Sequence, residues 1–365
     1  MRALNSLPQP RLEHLRRMSD ETGLIQHARY SVPNRISGYT TDDNARALVA
    51  SVWAARAGLD TSALVDRYLA FLQWAQRADG SFHNEFGYDR RPIFPGISED
   101  ATGHAAWALG EFLQWEEQEG KRALATELLL ASLPAVRHLR SPRAQAFALL
   151  GLTAAGNAVT RGQAPLGAKG VSRLVCETTR ELGDTLVHRY FSERQHNWHW
   201  FEDRLTYANG ALPAALFAAA AAGDDRRWLA VAEESLGFLD QLCLRNGRVE
   251  LIGNHGWYVR GGRRAVDDEQ PVDAAWLVLA HWFAHRATDD PSHLDRMAHA
   301  ASWFAGCNRW DATMIDGESG GCFDGVGFKG INRNEGAESL LALVWSELAS
   351  AVSAKRARST SLGSA

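Results

Sequence analysis

Pairs of adjacent carboxylates recur along the chain at points where apolar helical patterns begin. The pairs are Asp42-Asp43, Glu99-Asp100, Glu202-Asp203 and Asp267-Asp268. One Asp at a helix start is an ordinary N-cap and stabilises the helix by about 1 kcal/mol. Its neighbour points about 100° away around the helix axis, so capping does not explain both residues. A carboxylic acid beside a carboxylate is the pair of groups that cleaves glycosidic bonds.

Aromatic residues stand near these carboxylate pairs. They include Tyr39, Phe94, Trp198, Trp200, Tyr207, Trp257 and Trp310, and the chain has 13 Trp residues in all. Aromatic rings pack on the apolar faces of ligands, while a few polar groups orient them. If the loops share one end of the molecule, the sequence predicts an acidic, aromatic cleft that suits a carbohydrate.

The elements that would position these residues are helices, because apolar residues recur at helical spacing along most of the chain. We expect inner helices that begin near Asp42, Asp100, Pro142, Leu205, Gln270 and Glu335, since these segments are small and apolar. Amphipathic outer helices are expected over 10–20, 61–78, 121–139, 171–187, 226–244 and 292–306. The pattern predicts an all-α fold, an (α/α)6 toroid of six helical hairpins. An open α-solenoid of the same hairpins is the alternative.

The toroid is expected to form a single domain over residues 1–352, followed by a disordered tail over 353–365. A short β-hairpin is expected between residues 249–252 and 257–259. Residues 1–20 contain no apolar segment typical of a secretory signal, and no stretch is long and apolar enough for a membrane span. These features predict a soluble, cytoplasmic protein.

The charge and the cysteines favour no partner other than a small ligand or a glycan. With 39 Lys and Arg against 43 Asp and Glu, the net charge is −4, which argues against nucleic acid and anionic membranes as partners. The cysteines are widely separated, so neither a disulfide framework nor structural zinc is expected. His196 and His199 have a possible metal spacing but no strong third ligand. We therefore expect no metal and no cofactor.

Several motifs taken together resemble the six-hairpin (α/α)6 glycosidase superfamily. They lie at residues 39–47, 98–100, 200–209, 270–274, 320–325 and 332–339. More narrowly, the chain is similar to a bacterial group of helical proteins associated with glycosyltransferases or mannoside-processing enzymes. Glu335 departs from the Gln expected before Gly-Ala-Glu-Ser, which leaves its role open. The superfamily includes hydrolases and sugar 2-epimerases, so the resemblance implies no single reaction.

The expected function is a glycoside hydrolase acting on an oligo- or polysaccharide, with mannose-containing glycans suggested by the resemblance. Asp43 and Asp100 are the leading catalytic pair, and Glu99, Asp203 and Asp268 are the next candidates. Substrate-binding residues are expected among Tyr39, Asp42, Asn44, Arg46, His104, Trp200, Glu202, Tyr207, Asn209, His255, Trp257 and Glu335.

Two other functions remain open at this stage. A sugar epimerase or isomerase would use histidines as acid and base, with His104, His199, His255 and His281 available. A non-catalytic glycan-binding partner of a glycosyltransferase would have an aromatic cleft whose carboxylates lie too far apart to share a substrate.

Overall fold

The computed structural model describes residues 7, 9–96, 98–161, 169–223 and 225–362, without the side chains of 169–171 and 354–362. These residues form twelve α-helices in six hairpins. The inner helices are α2 (Thr41–Arg56), α4 (Glu99–Leu113), α6 (Pro142–Thr160), α8 (Ala211–Gly223), α10 (Pro271–Thr288) and α12 (Ala337–Leu362). The outer helices are α1 (Glu13–Met18), α3 (Ser62–Ala75), α5 (Glu119–Arg137), α7 (Lys169–Glu193), α9 (Arg226–Cys243) and α11 (Ser292–Ala301).

The inner helices close into a ring. Each packs on the next along the chain, and α12 packs back on α2. Arg46 of α2 donates to Glu338 of α12 at 2.6 Å across this junction. Each inner helix also packs on one outer helix, with α1 covering α12. The predicted (α/α)6 toroid is therefore confirmed, and the open solenoid is excluded.

Short strands connect the helices at the end of the ring where the inner helices begin, which we call the mouth. The strand pairs are β1 (Ala28–Arg29) with β2 (Val32–Pro33), β3 (Tyr39–Thr40) with β4 (Glu85–Phe86), β5 (Arg204–Leu205) with β8 (Tyr258–Val259), β6 (Leu244–Arg245) with β7 (Arg248–Val249), and β9 (Gly325–Gly327) with β10 (Gly330–Asn332). The hairpin expected between residues 249–252 and 257–259 is wrong, because each of these segments pairs with a different strand.

Five inner helices begin within two residues of their predicted starts. The exception is α8, which begins at Ala211 rather than near Leu205. Leu205 is taken up by the pairing of β5 with β8. Between them the side chain of Asn209 accepts the backbone N–H of Thr206 at 3.1 Å and holds a turn. A long-range strand pairing therefore delays this helix by about one and a half turns.

Glycines allow α4 and α6 to approach very closely. A Cβ added at Gly110 would lie 1.9 Å from the carbonyl oxygen of Gly151, and one at Gly151 would lie 2.1 Å from that of Ala106. No side chain fits at either position without moving the helices apart. The small residues of the inner helices thus set the diameter of the ring.

Tryptophans from four inner helices fill the centre of the ring. Trp107 lies 5.0 Å from Trp345 and 5.3 Å from Trp276 between ring centroids, and 6.0 Å from Trp53. Such tilted and edge-on contacts are favourable packing geometries for aromatic rings. The toroid is therefore a cup with a floor rather than an open tube.

Helix α12 extends to Leu362, so residues 353–362 of the segment expected to be a disordered tail are helical. Residues 363–365 lie outside the described residues. None of the helices in the described ranges combines the length and the apolar character needed to cross a membrane.

Candidate active site

A cavity of about 380 Å³ opens at the mouth, between the first turns of α2 and α12 and the neighbouring loops. Six carboxylates line it: Asp42, Asp43, Glu85, Asp268, Asp324 and Glu338. Arg46 is the guanidinium among them, and amide side chains complete the wall. Carboxylates and amides are hydrogen-bonding groups that suit a ligand rich in hydroxyls. Of these residues, Glu85, Asp324 and Glu338 were not singled out from the sequence.

Asp43 is the third residue of α2, and its carboxylate is almost fully buried. The hydroxyl of Thr40 donates to one carboxylate oxygen at 2.7 Å, and Nη2 of Arg46 donates to the other at 2.8 Å. Arg46 lies one turn further along α2 and also binds Glu338. The positive end of the helix dipole favours negative charge at this position. Thr40 and Arg46 thus hold the carboxylate of Asp43 in place, and Glu338 of α12 holds Arg46.

The pKa of Asp43 is raised to about 7. Burial is the largest cause, because it removes the carboxylate from water, and the opposing charge of Arg46 compensates only in part. The neighbouring charges of Asp42 and Glu338 raise the pKa further. A carboxyl group with a pKa near neutrality is suited to donate a proton in catalysis.

Asp100 lies in the first turn of α4 and is half-buried. The hydroxyl of Tyr207 donates to its Oδ2 at 2.6 Å, and that of Ser141 donates to its Oδ1 at 3.3 Å. Burial raises the pKa of Asp100, although the hydrogen bond from Tyr207 and the charge of Arg143 act in the opposite direction. Asp100 is therefore oriented by residues from the next two inner helices and the loops before them.

Asp42 links Asp43 and Asp100 electrostatically. Its negative charge raises the pKa of both. The side chain of Asn84 accepts the backbone N–H of Asp42 at 3.2 Å, and Asp42 in turn accepts the N–H of Asp43 at 2.9 Å. Asp42 and Asp43 line the cavity, while Asp100 lies at the start of the adjacent helix, outside the lining but within the electrostatic reach of Asp42. This repulsion adds to burial in raising the pKa of Asp43 and of Asp100.

Arg143, in the first turn of α6, is a site residue that the sequence analysis missed. Its guanidinium donates to Glu202 at 2.7 Å, to Asn209 at 3.3 Å and to the carbonyl oxygen of Tyr207 at 2.5 Å. It also lies 4.8 Å from the centre of the Tyr207 ring, a cation–π distance. Arg143 thereby positions the hydroxyl that binds Asp100. The sequence did contain a sign of this role. Residues 140–143 are the one predicted inner-helix start without a carboxylate, and they include Arg143.

Asp273 was also missed, although it is the third residue of α10 just as Asp43 is the third residue of α2. Burial raises its pKa to about 7 against the opposing effects of the Asn209 backbone N–H and the charge of Arg143. Its Oδ1 has no hydrogen-bond partner in the described part of the chain. That oxygen is shielded from solvent and Asp273 is not among the residues that line the cavity, so it is a buried carboxyl rather than a ligand contact. Its position within the helix was the signal.

His104 lies one turn below Asp100 on α4 and is buried. Its ring stacks on Phe147 with 3.8 Å between centroids. Burial and the charge of Arg46 lower the pKa of His104 well below its usual value, so the ring is neutral. Its Nδ1 has no partner among the described residues. Across those same residues no three His, Cys, Asp or Glu side chains form a group that would hold a metal ion.

Two of the predicted site residues, Asn44 and Glu99, bind backbone N–H groups and do not line the cavity. The side chain of Asn44 accepts the backbone N–H of Leu24 at 2.8 Å. Glu99 accepts the N–H groups of Arg140 and Ser141 at 2.8 and 2.6 Å. Glu99 thus fixes the loop before α6, which explains its pairing with Asp100 without a catalytic role.

Three residues expected in the cleft lie in the core instead. The hydroxyl of Tyr39 donates to Asp20 at 2.7 Å, and Trp200 is fully buried because large rings gain most from leaving water. Glu335 precedes α12 and turns beneath α1, where it meets His14 at 3.4 Å. The mouth is therefore less aromatic than the sequence suggests.

Two further predicted residues lie on the surface. Asp203 is half-exposed, and its hydrogen bonds from Arg204 at 2.8 and 3.0 Å lower its pKa. That lowered pKa makes it a poor proton donor. His255 is largely exposed and pairs with Asp267 at 3.2 Å.

Asp268 lines the cavity, as expected for a candidate catalytic residue. Its carboxylate accepts from the side chain of Asn254 at 3.2 Å, and Asn254 accepts from the indole of Trp257 at 2.8 Å. The φ of Asp268 is +63°, a left-handed conformation that residues other than glycine seldom adopt. The loop before α10 thus holds Asp268 in a defined orientation.

No protein-family model and no curated protein matches the sequence. Solved structures share the fold at low identity. Cellobiose 2-epimerase from Bacillus thermoamylovorans is 12% identical, covering 93% of this chain and 96% of that chain with a TM-score of 0.68. A D-mannose isomerase is 12% identical, covering 92% and 94% with a TM-score of 0.69. The GH76 α-mannanase from Bacteroides thetaiotaomicron is 10% identical, covering 95% of each chain with a TM-score of 0.62.

These structures define the fold class of the chain as the (α/α)6 toroid. Their names describe an epimerase, an isomerase and a mannanase, so the fold alone does not determine the reaction. The activity has to be argued from the residues at the mouth.

Proposed function

We propose that the chain is a carbohydrate-processing enzyme, and more narrowly a glycoside hydrolase that acts on an oligo- or polysaccharide. The observation that carries this proposal is the grouping of Asp42, Asp43 and Asp100 at one mouth, where burial raises the pKa of Asp43 to about 7. A protonated carboxyl beside an ionised one is what acid-assisted cleavage of a glycosidic bond requires.

In this mechanism Asp43 donates its proton to the glycosidic oxygen as the bond to the anomeric carbon breaks, so the leaving sugar departs as an alcohol. Asp100, oriented by Tyr207, either removes a proton from the attacking water or attacks the anomeric carbon itself. Carboxyl groups about 5–5.5 Å apart give retention, and groups about 6.5–9.5 Å apart give inversion. Arg46, which lines the cavity, is placed to bind a hydroxyl.

The test is to incubate the purified protein with oligosaccharides and follow the products by NMR. α-Mannosides are the first choice, because a structurally similar protein is named an α-mannanase. Asp43→Asn and Asp100→Asn should each lower kcat by about 10²–10⁴-fold, the usual contribution of an acid or base. Asp203→Asn is the matched control and should be fully active. Full activity in both catalytic variants, with the fold intact, would refute the proposal.

A sugar epimerase or isomerase is the second candidate, and one observation favours it. His104 lies one turn below Asp100 and its ring is neutral, and a neutral imidazole is able to accept a proton. The same NMR experiment separates the two functions, because an epimerase interconverts free sugars without releasing an aglycone. In that case His104→Ala should abolish activity.

A non-catalytic glycan-binding role remains the third prediction. None of the structural relatives above is named as a glycosyltransferase or as a partner of one, so a glycosyltransferase partner has no support beyond the sequence resemblance. A cytoplasmic location also stays a prediction from the sequence.

A further inference from the structure

Three aromatic side chains near the mouth are unusually exposed. Tyr30, Phe94 and Phe328, which we call the rim aromatics, expose 62%, 74% and 71% of their surface. Among the described residues no other Phe, Tyr or Trp exceeds 60%. Each lies at or near the tip of a loop whose base lines the cavity.

Tyr30 forms the turn between β1 and β2, and His27 at the base of this hairpin lines the cavity. The backbone of Tyr30 is fixed on both sides. Its N–H donates to the side chain of Asn334 at 3.0 Å, and its carbonyl oxygen accepts the N–H of Glu335 at 3.1 Å. The exposed ring is therefore carried by an anchored turn.

Phe328 lies in the turn between β9 and β10, and Asn332 in β10 lines the cavity. The N–H of Phe328 donates to Asp267 at 2.8 Å. Its ring stands edge-on to Trp310 with 5.2 Å between centroids. This contact supports one side of the ring and leaves the other open.

Phe94 lies in the loop after β4, and Glu85 of β4 and the preceding residue Asn84 both line the cavity. The N–H of Ile93 donates to the carbonyl oxygen of Glu85, and the N–H of Asn84 donates to that of Gly96, both at 2.8 Å. The loop is thereby clamped to the cavity wall. The ring of Phe94 then extends outwards from it.

We propose that the rim aromatics bind sugar units of a glycan that extend beyond the cavity. This inference rests on the proposed function, because it assumes that the cavity takes one part of the same glycan. A glycan is the expected occupant because the segments that carry the aromatic rings also supply Asn84, Glu85 and Asn332 to the cavity wall. Aromatic faces and hydrogen-bonding side chains are the two kinds of surface that sugar rings need. The proposal makes a polymer, rather than a free monosaccharide, the preferred ligand.

The test uses native gels that contain α-mannan or mixed-linkage β-glucan as the immobile ligand. The variants are Tyr30→Ala, Phe94→Ala and Phe328→Ala, singly and combined. Phe191→Ala is the matched control, since Phe191 is 58% exposed on α7. Removal of each rim aromatic should weaken binding by about 2- to 10-fold, and the triple variant by more than tenfold, with the control unchanged.

Retardation of the wild type by neither polysaccharide would overturn the proposal, and so would equal retardation of the triple variant. A wild type that sediments as a dimer and a triple variant that sediments as a monomer would instead assign the rim to contact between copies. Retardation reports binding and requires no turnover, so a chain without hydrolase activity would be retarded as well. Fully active Asp43→Asn would refute the hydrolase mechanism and leave this result standing.

Discussion

Replacing Asp43 with Asn tests the raised carboxyl pKa through stability as well as through activity. The amide keeps the shape of the side chain and can direct its oxygen to Arg46 and its NH2 group to the hydroxyl of Thr40, which is able to accept. Arg46 retains Glu338 as a partner at 2.6 Å. The variant is therefore expected to fold with the ring closed.

The magnitude follows from the difference between an ordinary aspartate pKa of 3.8 and about 7 in the folded protein. Well below pH 3.8 the group is protonated in both the folded and the unfolded state and does not affect the free energy of unfolding. Between these values the unfolded chain has lost the proton that the folded chain retains, so stability falls as pH rises. Each pH unit in this interval lowers the free energy of unfolding by about 1.4 kcal/mol, which amounts to about 3 kcal/mol between pH 5 and 7.

The assay is urea unfolding of the wild type and Asp43→Asn at pH 5 and pH 8. Between pH 5 and pH 8 the free energy of unfolding of Asp43→Asn should rise by about 3 kcal/mol relative to that of the wild type, because the amide has no proton to lose. Its kcat should be reduced at every pH. A stability difference that is the same at pH 5 and pH 8 would show that the folded-state pKa of Asp43 is not raised.

Two further substitutions test the positioning of the site and the packing of the ring. Tyr207→Phe removes the hydrogen bond that lowers the pKa of Asp100, so the pH at which half the activity appears on the acid side should rise, together with a loss of kcat of about tenfold; an unchanged pH profile would contradict this role. Gly110→Ala should destabilise the protein by about 1–3 kcal/mol because its Cβ would meet the carbonyl oxygen of Gly151. Gly120→Ala, with no atom within 4 Å of the added Cβ, is the control in thermal unfolding.

Helical periodicity was sufficient to predict the six hairpins, because the inner helices are apolar on nearly all sides and the outer ones are amphipathic. Closure of the ring was expected, but the same periodicity also fits an open solenoid. The start of α8 was not predictable in this way. It depends on the pairing of β5 with β8, whose residues are more than 50 positions apart. A two-residue strand has no periodicity of its own, so the sequence gives no sign of such a pairing.

The doubled carboxylates pointed to the region of the mouth, and Asp42, Asp43 and Asp268 line its cavity. The direction of individual side chains was harder to anticipate. Glu335 and Glu338 lie about one helical turn apart in the sequence. Glu335 is in the core, whereas Glu338 binds Arg46 in the cavity. Which of them faces the mouth depends on the residue at which α12 begins, and helix boundaries are the least certain part of a sequence-based prediction.

The closure of α12 onto α2 has a consequence for biosynthesis. Arg46 is synthesised near the start of the chain, but Glu338 follows 292 residues later. The first turn of α12 also completes the cavity, and the N–H of Ala337 bonds to the carbonyl oxygen of Gln26. A nascent chain therefore holds the carboxylates of α2 in an unfinished ring until α12 leaves the ribosome. Premature termination before that helix should yield protein that lacks a complete site, whatever the stability of the preceding hairpins.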